Sequence, residues 1–346
     1  MLRPFSNIIV NDNSVSSLIF NKASLLGLAS SILIESRRNE FTDRATLQIV
    51  NQIPGLGLKI SDTFKQGDPI AIEMGYYPNK ETIFEGYISE IIPDQTATII
   101  CEDEAYLYKR TTIDKSILLR NTTTTELFNQ IFTGEKRIFD AGIGDIKILK
   151  DASLFDILNL MRDKFSLYSY FRNGVLIVGG GLNENLGTEK LITADFQGNV
   201  PVGESSINFK EATADQTIVK GVSQQRSGEK IIVYATYGKG NEIVVSDTKP
   251  SGSITGNIDL GENDQIDKAT LEDAVRRKLQ SISFTGVNGN VVIYGEPRVQ
   301  HGDNIKLIDN TRPEINDNYK CVGVITSLDV DGGYRQSLEL GIKVSI

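Results

Sequence analysis

Short apolar runs alternating with polar residues fill the first hundred positions. SSILIESRR (30–38) and RATLQIVNQ (44–52) flank NEFTD (39–43), whose residues suit a hairpin loop. PIAIEMGYY (69–77), TIFEGYISEII (82–92) and TATIICEDE (96–104) follow. Period two makes Ile72, Met74, Ile99 and Cys101 inward positions. The spacing changes after residue 105. NTTTTELFNQIF (121–132) pairs Thr123 with Glu126 as a capping box ahead of a short helix. DASLFDILNLMRDKF (151–165) predicts a stronger helix, with Ser153 as its cap and Asp156 in its first turn. Leu154, Ile157, Leu158 and Met161 share one face. In SLYSYFRNGVLIVG (166–179), Asn173-Gly174 marks a two-residue hairpin turn, because both positions tolerate positive φ.

Strand patterns return in SINFKEA (206–212), QTIVKGVSQ (216–224) and KIIVYATYG (230–238). The Ser-, Gly- and Asp-rich stretch 246–264 reads as a long loop or insertion. One more helix is predicted over 267–282, capped by Asp267, with Leu271, Ala274, Val275, Leu279 and Ile282 as its apolar stripe. The last strands are NVVIYGEP (290–297), NIKLID (304–309), YKCVGVITSLDV (319–330) and YRQSLELGIKVSI (334–346). Asp331-Gly332-Gly333 supplies their hairpin turn.

One pattern occurs twice. GDPIAIEMGYYPNKETIFEGYISEI (67–91) and GDNIKLIDNTRPEINDNYKCVGVITSL (302–328) both open on Gly-Asp: Gly67-Asp68 and Gly302-Asp303. Both pass a polar stretch containing a proline, Pro78 or Pro313. Both re-enter an apolar run around one glycine, Gly86 or Gly323, after 19 residues in one copy and 21 in the other. Two distant copies do not make a solenoid; they suggest a duplicated domain. A glycine inside a strand permits the bulges and close approaches that small barrels need. The predicted fold is mainly β with α+β: two related small β-barrel domains plus two smaller α+β segments. Their expected bounds are 1–105 for the first barrel and 106–195 for an α+β domain. The second barrel takes 196–245 and 300–346, with an α+β insertion at 246–299.

With 346 residues, 40% hydrophobic and 23% charged, the chain has the composition of a soluble globular protein of two or more domains. Its 31 glycines and lack of tryptophan fit strands and turns. A net charge of −9 argues against a phosphate-gripping surface, and the pairs Arg37-Arg38 and Arg276-Arg277 sit beside acids. Cys101 and Cys321, each in a strand-like run, are expected as buried free thiols, with one long-range disulfide left open. No secretory signal is evident, and SLLGLASSILIE (24–35) is too short and serine-rich to span a bilayer.

The search for chemistry finds no catalytic residue, cofactor site or metal site. The only histidine, His301, stands beside Gly302 and is expected as a solvated turn residue; no G-x-S-x-G elbow accompanies it. Glu102, Asp103 and Glu104 are adjacent, so they alternate faces and read as a charged strand end, whereas a glycosidase pair must face across a cleft. VGGGLNENLG (178–187) and YGKGNE (237–242) lack the features of a phosphate loop and read as hairpin turns. No spacing supports zinc or calcium. Tyr168, Tyr170 and Phe171 fail as an aromatic platform, since period two puts Tyr168 and Tyr170 on one face and Phe171 on the other.

The stretch 299–341 resembles the closing segment of contractile-tail baseplate hub proteins, the phage tail hub or late control protein D-like family related to the type VI secretion spike trunk. QGDPIAIEMGYYPNKETIFEGYISEIIPD with TIICEDEAYLYKR resembles their opening barrel, and SLFDILNLMRDKFSLYSYFRNGVLIVG their second domain. The resemblance implies a structural, non-enzymatic homotrimer. Two related barrels per chain would then form a pseudo-sixfold ring between a tail tube protein on one face and a spike protein on the other. The implied location is the virion tail baseplate, assembled in the bacterial host cytoplasm, with DNA or effector passing through the lumen. An acidic lumen is expected to repel such cargo. Gly67, Asp68, Gly86, Gly302, Asp303 and Gly323 would be fold residues of the two barrels. With no enzymatic or spike extension after the second barrel, a separate spike partner is expected. The alternatives are a type VI or other contractile injection spike trunk, and a β-rich glycan-binding or glycan-processing protein.

Overall fold

The computed structural model describes residues 4–11, 13–14, 29–52, 59–60, 64–181, 185, 187–210, 217–238, 242–260 and 266–344. Residues 24–28, parts of both glycine clusters (182–184, 186 and 239–241) and 261–265 of the expected loop lie outside them.

The chain opens with β1 (Pro4–Val10), β2 (Asn13–Ser14), β3 (Ala29–Arg37), β4 (Arg44–Val50), β5 (Pro69–Tyr76), β6 (Glu81–Ile92) and β7 (Thr96–Glu102). Alternation is strict where it was expected. Ile72, Met74, Ile99 and Cys101 are all buried, together with Ile34, Leu47, Ile49 and Ile88. Helix α1 (Ala105–Tyr108), β8 (Ile117–Thr123), α2 (Thr124–Ile131), β9 (Lys136–Ile138), β10 (Gly142–Ile148), α3 (Leu154–Phe165), β11 (Tyr168–Arg172) and β12 (Val175–Gly180) come next. Both expected capping boxes are formed, by Thr123 with Glu126 and by Ser153 with Asp156. The β11–β12 turn is Asn173-Gly174, both at positive φ.

The second half contains β13 (Leu191–Asp195), β14 (Ser206–Lys210), β15 (Ile218–Gln224), β16 (Lys230–Tyr237), β17 (Ile243–Ser246) and β18 (Ile254–Leu260). Helix α4 (Lys268–Ile282), β19 (Gly286–Tyr294), β20 (Asn304–Ile308), β21 (Asn318–Asp329) and β22 (Gly333–Lys343) complete it. Asp267 caps α4 by accepting from Thr270 N at 2.8 Å. Among the described residues no helix is long and apolar enough to cross a membrane.

The fold is mainly β, and helices α1 to α4 lie outside the two β units of the large sheet. Strand pairing cuts across the divisions drawn from the sequence. β15, β16 and β17 fall in the stretch assigned to the second barrel, yet they form a separate sheet in the order β17-β16-β15-β18. β19 falls in the stretch assigned to the insertion, yet it pairs with β22 in the large sheet. The stretch read as a loop, 246–264, contains β18, which pairs in parallel with β15 and buries Ile258 and Leu260. Its glycine has a packing reason. Helix α4 lies so close that a Cβ at Gly256 would come 2.6 Å from Ile282 Cδ1, and one at Gly221 on β15 would come 2.5 Å from Val275 Cγ1. The two α+β segments share one core: Leu127, Phe128, Leu158 and Met161 cluster with Val219, Leu271, Val275 and Leu279.

The large sheet runs β14-β19-β22-β21-β3-β4-β7-β6-β5-β1-β2, with β20 and β13 branching from β21. It serves two cores, one around Ile72, Leu47 and Ile99 and one around Val291, Ile305 and Leu338. No ladder among the described residues closes either half into a complete barrel.

Because Gly221 lets α4 seat on β15, Gly221→Ala is expected to destabilise the α+β part by about 1–3 kcal/mol through overpacking. Urea unfolding followed by far-UV circular dichroism measures this; an unchanged midpoint would contradict the packing.

Candidate functional site: the junction of two matched β units

The two Gly-Asp turns are built alike. Gly67 has φ of +92° and Gly302 of +91°, a region that disfavours any side chain. Asp68 N donates to Lys65 O at 3.1 Å, and Asp303 N to Gln300 O at 3.0 Å. Each aspartate closes its turn: Lys65 N donates to Asp68 Oδ2 at 2.8 Å, and Gln300 N to Asp303 Oδ2 at 2.9 Å. Each turn grips the following hairpin by two bonds. Gly67 N donates to Ile88 O and Ile88 N to Asp68 O, as Gly302 N donates to Cys321 O and Cys321 N to Asp303 O.

These bonds fix a residue correspondence. Ile88 matches Cys321, and both stand just before a register irregularity, between Ile88 and Glu90 in β6 and between Cys321 and Gly323 in β21. The same correspondence overturns the pairing of the second glycines. Gly86 lies opposite Ile70, as Tyr319 lies opposite Ile305, so Gly86 matches Tyr319; Gly323 matches Glu90. The connection between the paired strands is two residues shorter in the second unit, which brings two unrelated glycines to similar distances along the chain. Their roles differ. A Cβ at Gly86 would strike Glu102 O at 2.2 Å, while one at Gly323 would meet Glu339 Oε2 and Arg37 Cγ across the junction.

The match extends over five strands, β3-β4-β7-β6-β5 in one unit and β14-β19-β22-β21-β20 in the other, in the same spatial and chain order. The four-stranded sheet and α4 are inserted between β14 and β19, where the first unit has only the β3–β4 loop. The flanking strand differs: β1 is antiparallel to β5, and β13 is parallel to β20.

The units join by main-chain pairing. The far end of β21 runs antiparallel to β3 over seven residue pairs, from Gly323 opposite Arg37 to Asp329 opposite Ser31. Arg37 forms an ion pair with Glu339 of β22 at 3.5 Å across the joint. Tyr76 donates to Tyr334 O at 3.2 Å, its ring 5.5 Å from that of Tyr334. Arg298 donates to Thr82 O at 2.8 Å and Ile83 O at 3.2 Å. Beside them a cleft of about 380 Å³ is lined by Asp43, Asp103, Glu104, Arg172, Arg298 and His301, among others.

The acids of this cleft are poorly solvated. Burial pushes Asp43 up to about 7, against the lowering effect of the Ser36 hydroxyl, which donates to it at 2.6 Å. Asp103 is also raised, by burial first and by Asp43 second. Its Oδ1 accepts from Ala105 N, at the first residue of α1, at 3.1 Å. Of its neighbours, Glu102 pairs with Lys109 at 2.8 Å, and Glu104 is raised by partial burial and by Glu85. Of the three acids read as a strand end, Glu102 ends β7, while Asp103 and Glu104 precede α1 and line the cleft.

His301 is a correction to the sequence reading. It is buried, edge-on to the Tyr170 ring at 4.6 Å, and pushed down to about 3 by burial, Arg172 and Arg38. The Gly-Asp turn that carries it is covered by the β11–β12 hairpin, whose Arg172 donates to Asp303 Oδ1 and Gln300 Oε1, each at 3.1 Å. Nothing in one-dimensional spacing signals that cover. Nor do Tyr168 and Tyr170 alternate simply: a register irregularity separates them, and Tyr170 is buried beside Ile177. Cys101 and Cys321 are free and buried, with burial pushing the Cys101 thiol up to about 12 and raising that of Cys321.

No protein-family model and no curated protein sequence matches the chain. Solved structures do share its fold. A tail protein from Neisseria meningitidis is 13% identical with a TM-score of 0.63, covering 98% of this chain and 96% of that one. The 43 kDa tail protein of prophage MuSo2 from Shewanella oneidensis is 11% identical with a TM-score of 0.58, covering 97% of each chain. The c3393 protein of E. coli, described as a component of the type VI secretion system with similarity to the bacteriophage T4 tail proteins gp27 and gp5, is 10% identical with a TM-score of 0.54. That match covers 98% of this chain and 77% of that one.

Asp43 binds its proton more tightly folded than unfolded. Its contribution to stability is therefore full below its unfolded value near 4 and is lost as pH rises toward 7, at about 1.4 kcal/mol per pH unit. Asp43→Asn, which retains an acceptor for Ser36, is expected to flatten that part of the stability–pH curve between pH 5 and 7. Denaturant melts of both proteins across that range measure it, and parallel curves would contradict a half-buried Asp43 that takes up its proton on folding.

Proposed function

We propose that this chain is the structural, non-enzymatic hub of a contractile phage tail baseplate, in which three copies form a ring of six similar β units. The observation that carries the reading is the five-strand match, down to the Gly-Asp turn and the register irregularity, between two units joined in one sheet. A chain with two like units can offer six similar patches under threefold symmetry, which suits a joint between a sixfold tube and a threefold spike. Likeness in fold to phage tail proteins supports the same reading. The match between units is read as a domain duplication. We divide the chain into a first β unit (4–104), a second (191–210 with 286–344), and one α+β body built from 105–181 and 217–283.

On this reading the partners are a tail tube protein on one face and a separate spike protein on the other, and DNA or effector passes through a lumen that the net charge of −9 favours as acidic. The protein belongs to the virion tail baseplate and assembles in the bacterial host cytoplasm. A second reading is the spike trunk of a type VI or related contractile injection system, favoured by the fold shared with the E. coli secretion component.

Light scattering after size exclusion, over a wide concentration range, is expected to give three times the chain mass at the upper concentrations. A strict monomer or a dimer throughout would count against the ring.

A further inference from the structure

Within the chain, the β21–β3 seam joins the second unit to the first. The match between units supplies each half of that seam a second time, and among the described residues no strand pairs with either half. Row by row, Glu90 lies opposite Ile100, Ile100 opposite Thr46 and Thr46 opposite Leu33. The corresponding row in the second unit is Gly323, Glu339, Asn290 and Ser206. Gly323 pairs with Arg37, four residues beyond Leu33. The counterpart of Gly323 is Glu90, and the residue four beyond Ser206 is Lys210.

We propose that Glu90–Ile92 of β6 pairs antiparallel with Asn208–Lys210 of β14 from a second copy of this chain, repeating the internal seam between subunits. This rests on the ring reading and names the contact that would close it. Among the described residues β5 pairs with β6 only as far as Tyr87, and no strand covers the edge of β6 from Glu90 onward, which corresponds to the edge of β21 that takes β3. Among the described residues, β14 pairs with β19 alone. Open edges of this kind are templates for another strand.

The register transferred from the internal seam brings compatible side chains together. Glu90 faces Lys210, an opposite-charge cross-strand pair. Ile91 faces Phe209, which is 48% exposed although it is a large aromatic at a sheet edge. Ile92, 44% exposed, faces Asn208. Pro93 follows and has no N–H to donate, so the ladder between subunits is shorter than the seven pairs inside the chain. The transferred alignment was fixed only by main-chain pairing, so the matching of charge and apolar surface is independent support.

The test uses the full chain with Ile92→Cys and Asn208→Cys together. Residues directly opposite in an antiparallel pair lie within disulfide reach, and both native thiols are buried. Mild oxidation is expected to convert most of the protein to covalent trimer on a non-reducing gel, with neither single variant giving any. Phe209→Glu, at an exposed position, is expected to leave the circular dichroism spectrum intact and to abolish the trimer in light scattering. A trimer that forms no cross-link, or that survives Phe209→Glu, overturns this pairing and leaves the ring standing. A protein that stays monomeric and uncross-linked at all concentrations overturns both.

Discussion

The main-chain ladder between β21 and β3 is the constraint on which the rest of the arrangement depends. It makes one sheet of two units that otherwise have separate cores. Seven paired residues fix both distance and register, and a slip of one would turn every side chain of β3 to the wrong face. Ile32 and Ile34 then point into the first core, which Leu328 of β21, the partner of Ile32, joins across the seam. A joint of this kind holds two domains at one angle, and side-chain contacts alone would leave more freedom.

The polar groups beside the seam follow from it. Beside the seam Arg298 and Asp43 are half-buried and Asp103 is buried, while the β11–β12 hairpin of the α+β body covers the second Gly-Asp turn. Arg298 is satisfied by carbonyls of β6, and Asp303 by Arg172 of the α+β body. Among the described residues Asp68, the matching residue of the first turn, has no arginine partner and accepts from Lys65 N instead. The two units are therefore alike in backbone and unlike in dress. The second carries the insertion, and both fasten the α+β body, the second through Asp303 with Arg172 and the first through Phe41 against Phe155 and Phe171.

Much of the fold was legible in the sequence, and the reasons are local. The caps of α2, α3 and α4, the Asn173-Gly174 turn and the inward alternation at Ile72, Met74, Ile99 and Cys101 are decided within a few residues of themselves. The Gly-Asp repeat was visible because a positive φ must recur wherever the turn does. What failed was long-range. The match of Gly86 to Gly323 relied on counting along the chain across connections of unequal length. β18 was hidden in a stretch of turn-forming residues because its parallel partner, β15, lies more than thirty residues earlier. His301 was misread because its burial comes from a hairpin about 130 residues away. The division into units was likewise obscured, since β14 and β19 neighbour each other only after the intervening sheet and helix are set aside.

The central claim is that the two units of one chain occupy equivalent places around a common axis. Electron microscopy of the purified protein at high concentration tests it most directly, through averaged views down the particle axis. The account predicts a threefold ring with six near-equivalent β lobes lining a central opening, and alternate lobes carrying the α+β body differently. A particle without a ring, or one with twofold symmetry that places the two units in different environments, would contradict it.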